Sequence, residues 1–185
     1  MGLLVGIDPG VTGAVAAVTP SGSLQWVIDM PVRDAGKRNR TSNEIDASGL
    51  ATYLRLIVRD IDEVWIEDVH PMPRIGASNA GHGTLGAFSL GDSRGAIRGV
   101  CECLGLAIRR VPSRTWKKAF GLDADKDKAL AVVRKFYPGS TLFARKKDHG
   151  RAEAVLIARY ASLERRRSDS FLEGSEPLRQ LELVA

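Results

Sequence analysis

The chain reads as an α/β protein, a mixed five-stranded sheet with helices on its faces. Two observations carry that reading. Three short apolar runs, Leu3 to Ile7, Ala14 to Thr19 and Leu24 to Asp29, follow one another with only the turn-forming "DPG" and "TPSGS" between them, which predicts a three-strand antiparallel meander. Beyond the meander, segments with helical spacing alternate with two more short apolar runs, "VWI" and "LAIRRV", the order of an α/β layer structure.

Each element follows from its own pattern. Leu3 to Ile7 is apolar or small throughout, as expected of a strand covered on both faces. It ends on Asp8 and breaks at Pro9-Gly10. The polar stretch "VRDAGKRNRTSNE" has no period and is read as a loop. From Ser48 to Val58 apolar residues return at helical spacing through Leu50, Leu54, Ile57 and Val58. Val64-Trp65-Ile66 is a fourth strand, and it runs into Glu67 and Asp68. The Gly- and Pro-rich "HPMPRIGASNAGHGTLG" is expected to be a mobile loop of the kind that carries function on a rigid scaffold.

A helix from about Ala87 to Leu104 comes next, with Gly91, Gly95 and Gly99 at four-residue spacing. Each glycine costs about 1 kcal/mol against alanine in a helix interior. That face must recover the cost by close approach to another backbone, either the protein's own sheet or a second copy of the chain. "LAIRRV" is the fifth strand, and "PSRTWKKAF" opens a helix with Pro112 near its first turn. Ala124 to Tyr137 is helical until Pro138-Gly139 stops it, and "HGRAEAVLIARYASL" is a last amphipathic helix. From Arg165 onward the sequence is polar and aperiodic, so one domain is expected over residues 1–165, followed by a C-terminal tail over 166–185.

With 44% hydrophobic and 26% charged residues, the 185-residue chain has the make-up of one folded domain. The formal charge is +5, and the positive residues gather late in the chain, at Arg109–Arg110, at Arg114, Lys117 and Lys118, at Arg145–Lys146–Lys147 and at Arg165–Arg166–Arg167. Such clusters suit a polyanionic partner, and they also suit solvated faces. Cys101 and Cys103, two apart on a helix, point to different faces, which predicts neither a disulfide framework nor a zinc site. No apolar segment is long enough to span a bilayer, and Met1-Gly2 leads straight into strand without a basic leader. A cytoplasmic protein with no membrane partner is expected.

Three carboxylates adjoin buried elements. Asp8 and Glu67 end apolar strands, and Glu153 lies just inside a helix whose next residues, Ala154 to Ala158, are apolar. A lone buried carboxylate costs several kcal/mol even after relaxation, so each acid needs a cation. Taken singly, each is explained by a salt bridge; taken together, they point to a shared cation. His149 and Glu153 are four apart and share a helix face, whereas Asp148 stands about 140° round from Glu153 and is the expected N-cap. If Asp8, Glu67 and Glu153 converge, their mutual repulsion calls for divalent metal, and an oxygen cluster with at most one imidazole favours Mg²⁺ or Mn²⁺ over zinc. Two such ions would activate a water and stabilise the departing oxygen of a phosphodiester.

"GIDPGVTG", "VWIED", "SRGAIRG", "VPSRTWKKAFG" and "KKDHGRAEAVLIA" occur in one order over Leu3 to Leu163, and as an ordered set they resemble the RuvC-type Holliday junction resolvases. "WKK" and "GRAEA" look closest to the compact versions encoded by phages and prophages. The resemblance implies an RNase H-like fold with two strands parallel to the first. It also implies a homodimer and Mg²⁺-dependent paired nicking of four-way DNA junctions, with two metal ions per active site and Mn²⁺ as a substitute. Asp8 matches the first-strand metal ligand, Glu67 the acid at the end of the fourth strand, and Glu153 the final helical acid. His149 takes the remaining ligand position, with Asp148 as the alternative; the commonest pattern has aspartates at both helical positions, and the chain departs from it. A neutral His149 would also serve to move the proton of the attacking water. His70 and His82 are read as surface residues.

The same resemblance places Arg114, Lys117, Lys118, Lys126 and Lys128 in the basic DNA-binding segment, where contacts go to phosphates. Arg74 is a further candidate for the junction, and Met72 or Ile75 would wedge into the opened crossover. "GIDPGVTG" also resembles the phosphate loop of actin-like and sugar-kinase ATPases, but the second phosphate loop and second lobe of those proteins are missing from the chain. Two rivals are a non-catalytic module for branched DNA and a ribonuclease H acting on RNA–DNA hybrids.

Overall fold

The fold was analysed from a computed structural model, which describes residues 2–36, 43–69, 84–123 and 126–174. Seven strands occur among them: β1 (Leu3–Asp8), β2 (Ala14–Val18), β3 (Leu24–Asp29), β4 (Val32–Asp34), β5 (Asn43–Ile45), β6 (Ile61–Asp68) and β7 (Ile108–Pro112). The helices are α1 (Ala47–Ile57), α2 (Thr84–Cys103), α3 (Ser113–Ala119), α4 (Lys126–Phe136) and α5 (His149–Gly174). The main sheet has the order β3-β2-β1-β6-β7. The first three strands form the expected antiparallel meander, and β6 and β7 run parallel to β1.

Alternation along the strands divides the interior into two cores. Leu4, Ala14, Ala16, Trp65 and Val111 face Trp116, Leu130, Val133 and the apolar run Ala154 to Ala158 of α5. Val5, Ile7, Val15, Ala17, Val64 and Ile66 face Leu50 and Leu54 of α1 and Ile97 and Cys101 of α2. Such alternation is what the two-residue side-chain period of a strand requires of a sheet covered on both faces. Helix α1 starts where Asp46 accepts a hydrogen bond from the Gly49 amide at 3.0 Å, an N-cap. Burial pushes the Cys101 thiol up to about 12, which leaves it a core residue, whereas Cys103 is exposed.

Helix α5 lies directly on the central strand. A Cβ at Gly6 would fall inside contact distance of the Ala154 carbonyl oxygen and the Ala158 nitrogen, so only glycine lets the helix backbone come this close. The first turn of α5 is held to the end of β3 by Arg151, which donates to both oxygens of Asp29 at 2.5 and 2.7 Å.

In four places the structure differs from the sequence reading. The polar stretch after Asp29 contains a short antiparallel pair, β4 with β5, in which Arg33 grips Glu44 at 2.7 Å. Strand β6 begins at Ile61, three residues before the apolar run, because parallel pairing with Leu3 and Leu4 starts there. Helix α5 continues past Arg165 to Gly174, and charge pairs support the extension: Arg165 with Asp62 and Asp169, and Arg167 with Glu164. Finally, α2 packs on the sheet through Ile97 and Cys101, whereas added Cβ atoms at Gly91, Gly95 and Gly99 would meet no described neighbour within 4 Å. The glycine stripe is thus not packed on the sheet; Gly91 and Gly95 border a recess that Ile66 and Ile108 of β6 and β7 also line. Among the described residues no helix is long and apolar enough to cross a membrane.

Candidate active site

Strand register brings the first two acids side by side. β1 and β6 pair in parallel through Ile7 and Ile66, so the next step carries Asp8 on one strand and Glu67 on the other. Ile7 and Ile66 point into the α1/α2 core. By alternation Asp8 and Glu67 belong to the opposite face, beneath α5. Asp8 is half-buried and Glu67 is 5% exposed.

Glu67 is held from α3. The Ser113 hydroxyl donates to its Oε1, and the Trp116 indole donates to the same oxygen at 3.2 Å. Both donors follow from topology: β7 pairs with β6 so that Val111 lies beside Glu67, and the chain turns into α3 one residue past Pro112. Oε2 has no hydrogen bond among the described residues and is the oxygen left to face a cation. The turn after Asp8 is equally constrained, since a Cβ at Gly13 would collide with the Asp8 carbonyl oxygen and one at Gly150 with the Thr12 carbonyl oxygen. These two glycines let the N-terminus of α5 seat against the loop that follows Asp8.

Seated there, α5 presents Glu153, 9% exposed, with the Lys117 ammonium 3.2 Å from its Oε1. His149 opens the helix, and its Nε2 lies 3.6 Å from Asp127 Oδ1 of α4. Asp148 has a different task. It is 2% exposed, and its carbonyl accepts the first helical bond of α5 from Ala152 at 3.0 Å, as an N-cap residue does. Its side chain, however, turns back to Arg145, accepting from the backbone amide at 2.8 Å and from the guanidinium at 2.9 and 2.7 Å. Burial pushes the Asp148 carboxyl up, but the Arg145 hydrogen bonds and charge outweigh it and hold the group below the usual carboxylate range. Of the two candidates for the fourth ligand, Asp148 is therefore committed to Arg145.

The three acids thus share one end of the sheet and one face, on β1, β6 and α5. Their side chains are not gathered: among the described residues no three His, Cys, Asp or Glu side chains stand close enough to hold one metal ion. Ser113, Trp116 and Lys117 occupy Glu67 and Glu153 instead. The donor set still suits a hard divalent cation, being three carboxylates and an imidazole with one oxygen of the buried Glu67 unspent.

Of the predicted nucleic-acid contacts, Arg114 and Lys118 are exposed and Lys117 is half-buried. With Ser113, Gly121, Leu122 and Asp123 they line a recess of about 570 Å³. Lys117 joins it to Glu153, and Ser113 joins it to Glu67. Lys128 is ion-paired with Asp123. Lys126 opens α4. Arg74, the wedge candidates Met72 and Ile75, and His70 and His82 lie outside the described residues. Two residues that steer the site escape sequence reasoning, Ser113 and Trp116. Their signal was the strand-to-helix junction "VPSRTW" next to the acid-bearing strand.

No family model matches the chain. It is 31% identical over 164 residues to the chloroplast Holliday junction resolvase MOC1 of Chlamydomonas reinhardtii, a match covering 77% of this chain and 18% of that protein. The chain therefore spans about a fifth of the length of this curated relative. Its fold is that of T. thermophilus RuvC, solved in complex with a Holliday junction substrate, with a TM-score of 0.54 and 17% identity over 90% of this chain and 96% of that one. A second Thermus thermophilus RuvC structure matches with a TM-score of 0.50 and 17% identity, over 89% and 96% of the two chains. The chain thus has the RNase H-like fold of those RuvC structures and is similar in sequence to a Holliday junction resolvase.

Proposed function

We propose that this protein is a divalent-metal-dependent endonuclease that resolves four-way DNA junctions by paired symmetric nicks. The observation that carries the reading is the pairing of Asp8 and Glu67 at adjacent strand ends, beneath the helix that brings Glu153 and beside a recess rimmed by Arg114, Lys117 and Lys118. Kinship to a protein named as a Holliday junction resolvase supports the choice of substrate.

Asp8, Glu67, His149 and Glu153 are the residues that would hold Mg²⁺ or Mn²⁺, two ions per site. When bound, such ions supply an activated water and positive charge at the departing oxygen. The rest falls to the chain's own groups. Ser113 and Trp116 fix the plane of the Glu67 carboxylate through Oε1. Arg114 and Lys118 bind phosphates flanking the cut, which positions the backbone without reading bases. Lys117 neutralises Glu153 until DNA and metal arrive, then swings to a phosphate. His149, on the α4 side of the site, receives or delivers the proton of the attacking water.

The homodimer forms through α2. Its glycine stripe is open among the described residues, and Phe88, 75% exposed, stands on the same side of the helix one and two turns before Gly91 and Gly95. Small residues flanked by an exposed aromatic suit close approach of a second copy, and a two-fold axis there presents two sites with the symmetry of the junction.

The test is to incubate the protein with labelled four-way junction, flap, linear duplex and RNA–DNA hybrid, in Mg²⁺, Mn²⁺ or EDTA, beside an Asp8→Asn variant. Symmetric nicks confined to the junction, lost in EDTA and in Asp8→Asn, are expected. Tight junction binding with no cleavage would favour the non-catalytic module, and hybrid cleavage the ribonuclease.

A further inference from the structure

The motif "SRGAIRG" lies on α2, away from the acids, and its arginines have no part in the chemistry above. Arg94 nonetheless reaches the acid-bearing strand. Its guanidinium donates to the Asp68 carboxylate and to the Val69 carbonyl, each at 2.6 Å. Those are the two residues immediately after Glu67. The pair is three-quarters buried or more, with side chains 23% and 19% exposed.

The strand end needs such support. The residue beside Asp68 on β7 is Pro112, which has no N–H to give, so the ladder between the two parallel strands ends there. Neighbouring residues of a strand point to opposite faces, and the two sides of β6 are gripped separately: Glu67 by Ser113 and Trp116 from α3, Asp68 by Arg94 from α2. The α2 grip is built for a guanidinium. Its two nitrogens take two acceptors on successive residues, a fork that a lysine ammonium cannot reproduce. Gly91 and Gly95 flank Arg94 and, with Ile66 and Ile108, line a recess of about 230 Å³.

We infer that Arg94 is a positioning residue for the metal site: by clamping Asp68 and Val69 it fixes the end of β6 and hence the carboxylate of Glu67. The inference rests on the proposed nuclease reading for its consequence and on the strand geometry for its cause, and two measurements on the 185-residue chain separate these.

The first is metal-free. Amide deuterium exchange followed by mass spectrometry should show the segment from Glu67 to Val69 exchanging about tenfold faster in Arg94→Gln, with β1 and α5 unchanged. The second is Mn²⁺ titration by calorimetry, in which Arg94→Gln should bind about 10-fold more weakly, as loss of an outer-sphere partner does. Arg94→Lys, which keeps charge but not the fork, should fall between wild type and Arg94→Gln in both. Glu67→Gln should abolish Mn²⁺ binding while leaving exchange at Asp68 and Val69 slow.

Wild-type exchange and wild-type Mn²⁺ affinity in Arg94→Gln would overturn the inference and leave the nuclease reading intact. Faster exchange with unaltered Mn²⁺ affinity would overturn the link to the metal site, reducing Arg94 to a strand clamp. A wild-type protein that binds no Mn²⁺ would sink the metal-site reading and with it the consequence drawn for Arg94.

Discussion

At the scale of single residues, two of the proposed ligands, Glu67 and Glu153, are held by protein donors. Lys117 is the clearest case, because it stands where a divalent ion would neutralise Glu153 and both members of the pair are largely buried. Removing one partner of such a pair leaves a charge without compensation. Lys117→Gln should therefore lower metal-free stability by about 1–3 kcal/mol in urea unfolding, and saturating Mn²⁺ should return most of it. An equal loss with and without Mn²⁺ would show that metal and lysine do not compete for Glu153.

Asp148 makes a contrasting prediction. Its carboxyl is held below the ordinary range, so its contribution to stability is complete above the unfolded value of about 4 and is lost as pH falls through the lower folded value. Asp148→Asn should be less stable than wild type at pH 7, and the gap should shrink in melts taken from about pH 4 downward. The placing of the three acids at one end of the sheet was legible because each closes or opens an apolar run. Ser113 and Trp116 were not, since they meet Glu67 across 46 and 49 residues of chain.

At the scale of elements, legibility followed burial. The central strands could be read because strands covered on both faces must be apolar, and β2 is buried at all five positions and β1 at four of six. The β4–β5 pair could not, because β4 is exposed at every position and carries no alternation. The far end of α5 was hidden for a related reason: charge pairs rather than an apolar face hold it, and they leave no hydrophobic period.

The crossing of α5 over β1 is the contact on which the site's shape depends most. At Gly6 an added methyl would meet the main chain of α5 at Ala154 and Ala158, which cannot rotate aside as a side chain would. Gly6→Ala should then lift the helix from the strand and cost about 1–3 kcal/mol in urea unfolding, as overpacking does. Because Glu153 rides on the same turn, Mn²⁺ affinity should fall with it. An unchanged midpoint would mean that α5 is free to shift on the sheet.

At the scale of the whole molecule, the two faces of the sheet divide the labour. The α5 face carries the acids and the α3 cations, while the α1/α2 face ends in a glycine stripe that none of the described residues covers. Glycine at three successive turns of a helix gives up about 1 kcal/mol per position, and no described neighbour stands close enough to recover it. Replacing one of them should not harm the isolated fold. Gly95→Leu meets no described neighbouring atom within 4 Å of the new Cβ and gains helix propensity, so its thermal midpoint at low protein concentration should equal or exceed wild type. A dimer packed through that stripe would instead be blocked by the leucine side chain. Sedimentation or light scattering should accordingly find wild type as a dimer and Gly95→Leu as a folded monomer. On four-way junctions the variant should make single, uncoupled nicks where wild type makes symmetric pairs. A Gly95→Leu protein that remains dimeric would remove α2 as the interface and, with it, the symmetry argument that joins the two nicks.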